Sequence, residues 1–355
     1  MHPLCVCGWY FFTARRARSE CEVLGTSAVS AIEDRRLIEG MNSELILFKM
    51  TTVVLSRLLA LCAGLLQPGV MSLARSQPLV RYTSNSTVQH DVFVIAHQDD
   101  WQLFMGDVVA KKIRAGDSVI FVYLTAGDDG RDSLYWQARE RAALRSTRLA
   151  IGVAARDSAA VRCSTTDVLE HTVRKCVIAG TESYFLRLPD GKRDGAGFAR
   201  HDYQSLRRLR GKRITAIDAV DGSATYRGWE DLMATTSKLI GPSSPTAEIV
   251  VHANDPSIVV NPHDHYDHRM AGLLVSDLRK GRRWNTQYYV GYALATRAAN
   301  RSTDEAREKT AIFLAYDKEM MRVNKAWSAY EEHPAFYSQC MLRTYVRKAR
   351  ESESR

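Results

Sequence analysis

Two short stretches hold residue types that could do chemistry together. The first is Ala96-His97-Gln98-Asp99-Asp100, where an imidazole and two adjacent carboxylates follow an apolar run over 92–95. The second is His263-Asp264-His265-Tyr266-Asp267-His268, with three histidines and two aspartates in six residues. Hydrolytic zinc sites take three ligands of the His and Asp/Glu type and leave one position open for water. His97 and Asp100, with one histidine of the second stretch, supply such a set. Zinc brings the pKa of its water down to about 7 and polarises a carbonyl group. A carboxylate beside the metal then takes the water proton, and a second donor opposite holds the developing oxyanion. Helix capping accounts for Asp264 or Asp267 alone, but not for three histidines.

These residues need rigid supports. Residues 91–96 read as a buried strand, because an apolar run ends abruptly in polar residues. Leu103, Phe104, Val108, Val109 and Ile113 fit one helix stripe, with Gly116 as its stop. A second apolar strand follows at 118–124, so strand, helix and strand form the unit of a parallel sheet. Ligands of such sheets sit beyond the carboxyl ends of the strands. Further on, 135–151 reads as a helix ending at Gly152, and 161–163, 172–177 and 184–188 as short strands. Pro189-Asp190-Gly191 is a turn opening a glycine- and charge-rich loop, and 189–230 is expected to wall the site. A helix is expected at 229–240. Apolar runs follow at 248–252 and 257–260, the second leading into the histidine cluster. A helix at 268–278, a strand at 287–294 and a helical tail from Thr303, packed on the sheet edge, complete the reading. The expected fold is α/β and Rossmann-like: a mostly parallel sheet with helices on both faces, in a single domain.

The two motifs resemble those of the N-acetylglucosaminyl-phosphatidylinositol deacetylase (PIG-L, LmbE-like) family. That family carries Ala-His-Pro-Asp-Asp-Glu after its first strand and His-x-Asp-His, often with Arg and Gly, late in the domain. Here they stand as Ala96-His97-Gln98-Asp99-Asp100-Trp101 and His265-Tyr266-Asp267-His268-Arg269-Met270-Ala271-Gly272. Tyr123-Leu124-Thr125-Ala126-Gly127-Asp128-Asp129-Gly130, Arg139-Glu140 and Leu188-Pro189-Asp190-Gly191 are similar as well, so the resemblance spans 90–295. It implies His97, Asp100 and His268 as metal ligands and Asp99 as general base. It also implies His265 as oxyanion donor or acid, with Asp267 orienting it. Gln98 replaces a proline and Trp101 an acidic residue; Trp101 is either a stacking wall for a sugar ring or a core residue. The implied activity is removal of an N-acetyl group from an N-acetylglucosamine conjugate (glycolipid, thiol glycoside or polysaccharide), with Zn2+ or another divalent transition metal. The alternatives are a non-catalytic sugar- or glycolipid-binding protein of the same fold and a hydrolase of another linear amide. No Gly-x-Gly-x-x-Gly follows a strand, which removes the support for a redox enzyme.

Hydrophobic residues make up 45% and charged ones 25% of 355 residues, as in globular proteins. The net charge of +9 owes much to Arg279, Lys280, Arg282 and Arg283, and to Arg207, Arg208, Arg210, Lys212 and Arg213. Both clusters read as solvated charged faces; no nucleic-acid motif accompanies them, so nucleic acid is not expected as a partner. Residues 1–74 are expected to be a non-conforming extension plus a signal peptide, with Met41 and Met50 as alternative starts. The apolar run over 58–66 is too short for a membrane span, and Ser72-Leu73-Ala74 offers small residues to a signal peptidase. The deacetylase domain is then 75–300 and the helical tail 301–355. Export (periplasmic or secreted) follows if the leader is cleaved, with no transmembrane span in the mature chain, and a cytoplasmic location otherwise. Past Ala74 the cysteines are Cys163, Cys176 and Cys340; the first two could pair, which would leave the third free.

Overall fold

The computed structural model describes residues 89–152, 160–241, 248–280, 282, 284–324 and 328–349. All of them belong to one compact unit, Thr83–Arg355. The expected leader at 58–66 and the extension before it lie outside the described residues.

β1 (Gln89–Ile95) buries Val92, Phe93, Val94 and Ile95 completely. A strand with parallel neighbours on both sides carries helices over both faces, so its run is apolar without alternation. Two helices follow, α1 (Asp100–Phe104) and α2 (Gly106–Ala115), in place of the single expected stripe. Gly116 stops α2 in the left-handed conformation, φ 81°, and β2 (Ser118–Thr125) comes next. α3 (Ser133–Ile151) starts on Asp132, whose side chain accepts the Tyr135 N–H, and ends at Gly152. β3 (Val161–Val168), β4 (His171–Ile178) and β5 (Thr181–Leu188) are longer than expected and pair antiparallel in turn. Cys163 and Cys176 sit opposite each other in the β3–β4 register and form a disulfide, while Cys340 is a buried free thiol.

The segment after β5 is more structured than a loop. It holds α4 (Leu206–Arg210) and the hairpin β6 (Ala216–Asp218)–β7 (Thr225–Arg227), and leads into α5 (Gly228–Ile240). β8 (Glu248–Asn254) is the first of the two late apolar runs. The second, at 257–260, is a turn whose Ile258 and Val259 are exposed. Local side-chain bonds bend the chain there: Asp255 accepts the Ser257 N–H, and the Asn261 amide donates to the Asp255 carbonyl. α6 (Tyr266–Leu278) and β9 (Asn285–Tyr289) follow, the strand stopping before a 3-10 turn at Tyr292–Thr296. The tail is helical over α7 (Thr303–Met320), α8 (Ala329–Glu332) and α9 (Pro334–Met341). It then adds a short strand, β10 (Val346–Lys348), antiparallel to β9.

The main sheet runs β10-β9-β8-β1-β2-β5-β4-β3, parallel from β9 to β5 and antiparallel at both ends. Phe93, Phe121 and Tyr123 face one core with residues of α1, α2, α3, α7 and α9. Val92, Val94 and Val122 face another with residues of α4, α5 and α6. The fold is therefore a single α/β domain of Rossmann-like type. From β1 the chain builds outward to β2 and β5, then returns to the other side of β1 as β8 and β9. The crevice beyond the carboxyl ends of β1 and β8 is thus the topological switch point. Among the described residues, no helix is long and apolar enough to cross a membrane.

Candidate metal centre

Both motifs end in that crevice. His97 follows β1 directly and Asp100 opens α1; His265 caps α6 and His268 lies in its first turn. Gly272 lets α6 press onto the end of β8, since a Cβ there would lie 2.2 Å from the Asn254 carbonyl oxygen. That contact carries His268 to the β1 motif.

Three donor atoms converge. His268 Nε2 lies 3.0 Å from Asp100 Oδ1 and 3.2 Å from His97 Nδ1, and His97 Nδ1 lies 3.5 Å from Asp100 Oδ1. Tetrahedral ligands with bonds of about 2.0–2.1 Å are separated by about 3.3–3.4 Å, so the triangle fits one such ion. Asp100 and His268 are each hydrogen-bonded on the far side, and His97 faces two carboxylates on its own. Asp100 Oδ2 accepts the backbone N–H groups of Ala96 and His97, at 3.1 and 2.9 Å. His268 Nδ1 faces Asp264 Oδ1 at 3.0 Å. His97 Nε2 turns toward Asp267 Oδ2 and Asp190 Oδ2, at 3.4 and 3.6 Å. Carboxylates behind metal-binding imidazoles fix tautomer and ring orientation in this way.

The remaining residues form the flanks. His265 Nδ1 accepts the Asp267 N–H at 3.2 Å. A backbone amide only donates, so a neutral His265 carries its proton on Nε2, which faces Asp190 Oδ1 at 3.6 Å. It is thus the Asp267 backbone that orients His265; the Asp267 carboxylate accepts the Gly191 N–H at 2.7 Å and faces His97. A Cβ on Gly191 would stand 2.4 Å from Asp267 Oδ1, so only glycine lets the turn close on that carboxylate. Asp99 sits at the edge, part-exposed, in an ion pair through Oδ1 with Arg139 of α3.

Burial pushes the His265 imidazole well below its ordinary value, and the neighbouring His97 and His268 push it further. Burial also opposes charge on His268, but Asp100 and Asp264 outweigh it and raise that imidazole to about 10. Asp100 is held well below the usual carboxylate range: His268 and His97 overcome the cost of its burial. Burial raises Asp190 to about 7 despite the opposing charge of His97.

All six residues singled out from the sequence meet here, although Asp99 is absent from the two groups of close-packed donors, His97–Asp100–His268 and His97–Asp190–His265–Asp267. Trp101 is no sugar wall. It is fully buried with its indole N–H on the Tyr123 hydroxyl, because α1 turns it into the core beside Phe121. Three supporting carboxylate or cation roles escaped sequence reasoning: Asp190, Arg139 and Asp128. Asp128 accepts the Asp190 N–H at 2.9 Å and faces His201 Nε2 at 2.8 Å. Their signal in the sequence is the three intervening motifs, which carry resemblance without implying a role for these residues.

A family model described as PIG-L, GlcNAc-PI de-N-acetylase, matches residues 92–278. No curated protein sequence matches the chain. Similar solved structures include an inhibitor complex of N,N'-diacetylchitobiose deacetylase from Pyrococcus horikoshii. It is 16% identical, over 70% of this chain and 75% of that one, with a TM-score of 0.37. A triple mutant of a deacetylase of the teicoplanin biosynthetic pathway is 12% identical, over 74% and 99%, with a TM-score of 0.41. GalB, the 4-carboxy-2-hydroxymuconate hydratase from Pseudomonas putida KT2440, is 13% identical, over 70% and 82%, with a TM-score of 0.35.

Proposed function

The chain belongs to the GlcNAc-PI de-N-acetylase (PIG-L) family, and from that premise we propose that it is a zinc-dependent hydrolase removing the acetyl group from an N-acetylglucosamine-containing conjugate. One observation carries the reading: three donors converge at metal-ligand spacing, with the His265 ring 4.6 Å from that of His97. His97, Asp100 and His268 would hold the ion. When bound, zinc supplies Lewis-acid polarisation of the amide carbonyl and a water of lowered pKa. Asp99 takes the proton of the attacking water; Arg139 keeps that carboxylate in place, and its Oδ2 has no partner among the described residues. His265 Nε2–H donates to the developing oxyanion, a role that suits a buried, neutral imidazole. Asp190, bonded through its own N–H to Asp128, limits where the His265 ring can swing.

Amine release from chitohexaose by the zinc-loaded protein tests this directly. Asp99→Asn is expected to lower kcat by about 10²–10⁴-fold while close to one equivalent of zinc is still bound. Full activity in that variant would remove Asp99 as the base. A chain that binds the sugar and never releases amine would be the non-catalytic alternative.

Export is proposed on two grounds, the leader pattern at 58–66 and the Cys163–Cys176 disulfide, a bond sustained in oxidising compartments. Amino-terminal sequencing of exported protein should begin near Arg75; an uncleaved chain in the cytoplasmic fraction would contradict it.

A further inference from the structure

We infer that the natural substrate is an acidic glycan, and that the segment 192–208 with Arg269 docks its negative groups beside the reacting unit. The inference rests on the deacetylase reading only for which sugar reacts.

Its basis is the placement of charge that the sequence alone left as a solvated face. Residues 189–213 hold eight Lys and Arg against three Asp, in a chain of net charge +9. The structure ties this segment to the site. The Tyr266 N–H donates to the Arg193 carbonyl at 3.1 Å, and Tyr266 stands between His265 and Asp267. The Arg207 guanidinium lies over the Tyr266 ring at 4.6 Å, and that of Arg269 lies 5.4 Å from the same ring. Arg208 lies over Tyr203 at 5.6 Å.

Some arginines elsewhere in the domain have carboxylate partners, such as Arg187 with Glu140 and Arg301 with Asp107, while Arg297 and Arg343, far apart in sequence from the segment, donate to backbone carbonyls. Lys192, Arg193, Arg207, Arg208 and Arg269 make no ion pair among the described residues. Arg193, Arg207 and Arg208 instead donate to the backbone carbonyls of His263, Asp194 and Tyr203. Such bonds fix the side chains and leave their charge uncompensated. A cationic surface beside a site concentrates and orients an anionic ligand, and guanidinium groups bind carboxylates in a bidentate fork. A membrane-docking face would mix apolar side chains with the cations. Tyr203 is the one large exposed hydrophobic in this segment; Ile258 and Val259 belong to a different loop, after β8. The pattern fits a water-borne polyanion.

Two probes carry the same N-acetyl unit and differ in charge: fluorescent hyaluronan hexasaccharide, with alternating carboxylates, and fluorescent chitohexaose. With the full chain at low salt, hyaluronan should bind about tenfold tighter or more, an advantage that shrinks as salt is raised. The double variant Arg207→Gln/Arg208→Gln should lose most of that preference, and Arg207→Lys/Arg208→Lys should keep the salt-dependent part of it while losing the bidentate part, which separates charge from fold. Equal, salt-independent binding of the two probes would overturn the inference. So would phosphatidylglycerol vesicles that bind the protein and displace the hyaluronan. Amine release from both oligosaccharides is scored separately. If it occurs without charge preference, only the glycan inference fails; if charge preference occurs without amine release, only the deacetylase reading fails.

Discussion

At the scale of single residues, the centre is a set of donors each committed on one side so that the other is free. Asp264 does this for His268 through a 3.0 Å contact, and Asp264→Ala is expected to weaken metal binding by about 10–100-fold, measured by competition with a chelating dye. The same carboxylates set a pH dependence. The ordinary imidazole value is 6.5, and His268 is raised to about 10 by Asp100 and Asp264 against the cost of burial. After chelator treatment His268 therefore carries a proton at neutral pH, and a divalent ion must displace it. Metal affinity should keep rising between about pH 7 and pH 9, where an ordinary imidazole would already be deprotonated. Calorimetry in buffers of different ionisation enthalpy should register proton release on zinc loading near pH 8; none at that pH would show that His268 is not so held. The six candidate residues were legible in the sequence because donors cluster in two short motifs. Asp190, Asp128 and Arg139 were not, because a supporting carboxylate or cation is defined by what folds against it. Asp190 acquires its neighbours only when the β5 turn closes on α6, through the Gly191 N–H and Asp267.

At the scale of elements, the site depends on how closely α6 approaches β8. Gly272→Ala would place a Cβ 2.2 Å from the Asn254 carbonyl oxygen and 2.8 Å from Pro256 Cδ. Neither the strand end nor the proline ring gives way easily. The helix must shift, and His268 with it. Stability should fall by about 1–3 kcal/mol, and the larger effect should be a loss of zinc affinity. Unchanged affinity with a lowered Tm would mean that the approach serves packing alone. The β1–α2–β2 unit and the boundaries at Gly116 and Gly152 could be read in advance because apolar period and stop residues coincide there. The run at 257–260 could not. Its residues suit a strand, yet Asp255 and Asn261 bond the local backbone into a turn, and composition does not reveal that competition. β10 was equally hidden, since three residues that add to an existing edge leave no periodicity of their own.

For the molecule as a whole, the parallel centre is shielded by helices on both faces, and what remains vulnerable is the pair of antiparallel edges. The β10 edge is held by Lys309, buried in α7, which bonds the carbonyls of Cys340 and Arg343 and the Thr344 hydroxyl just before the strand. The opposite edge, β3, is largely exposed and is pinned to β4 by the Cys163–Cys176 bond across a sequence separation of 13. Closing a loop of that length restricts the unfolded chain by about 3 kcal/mol. At about 2–4 °C per kcal/mol for a domain of this size, Cys163→Ser/Cys176→Ser should lower Tm by about 6–12 °C at most. The catalytic constants should not follow. β4, β5 and β2 stand between β3 and the β1 end that carries His97, so fraying of the outer hairpin leaves the donor triangle intact. If zinc affinity fell in step with Tm, the edge and the centre would be one cooperative unit, and the hairpin would have to be counted among the supports of the site.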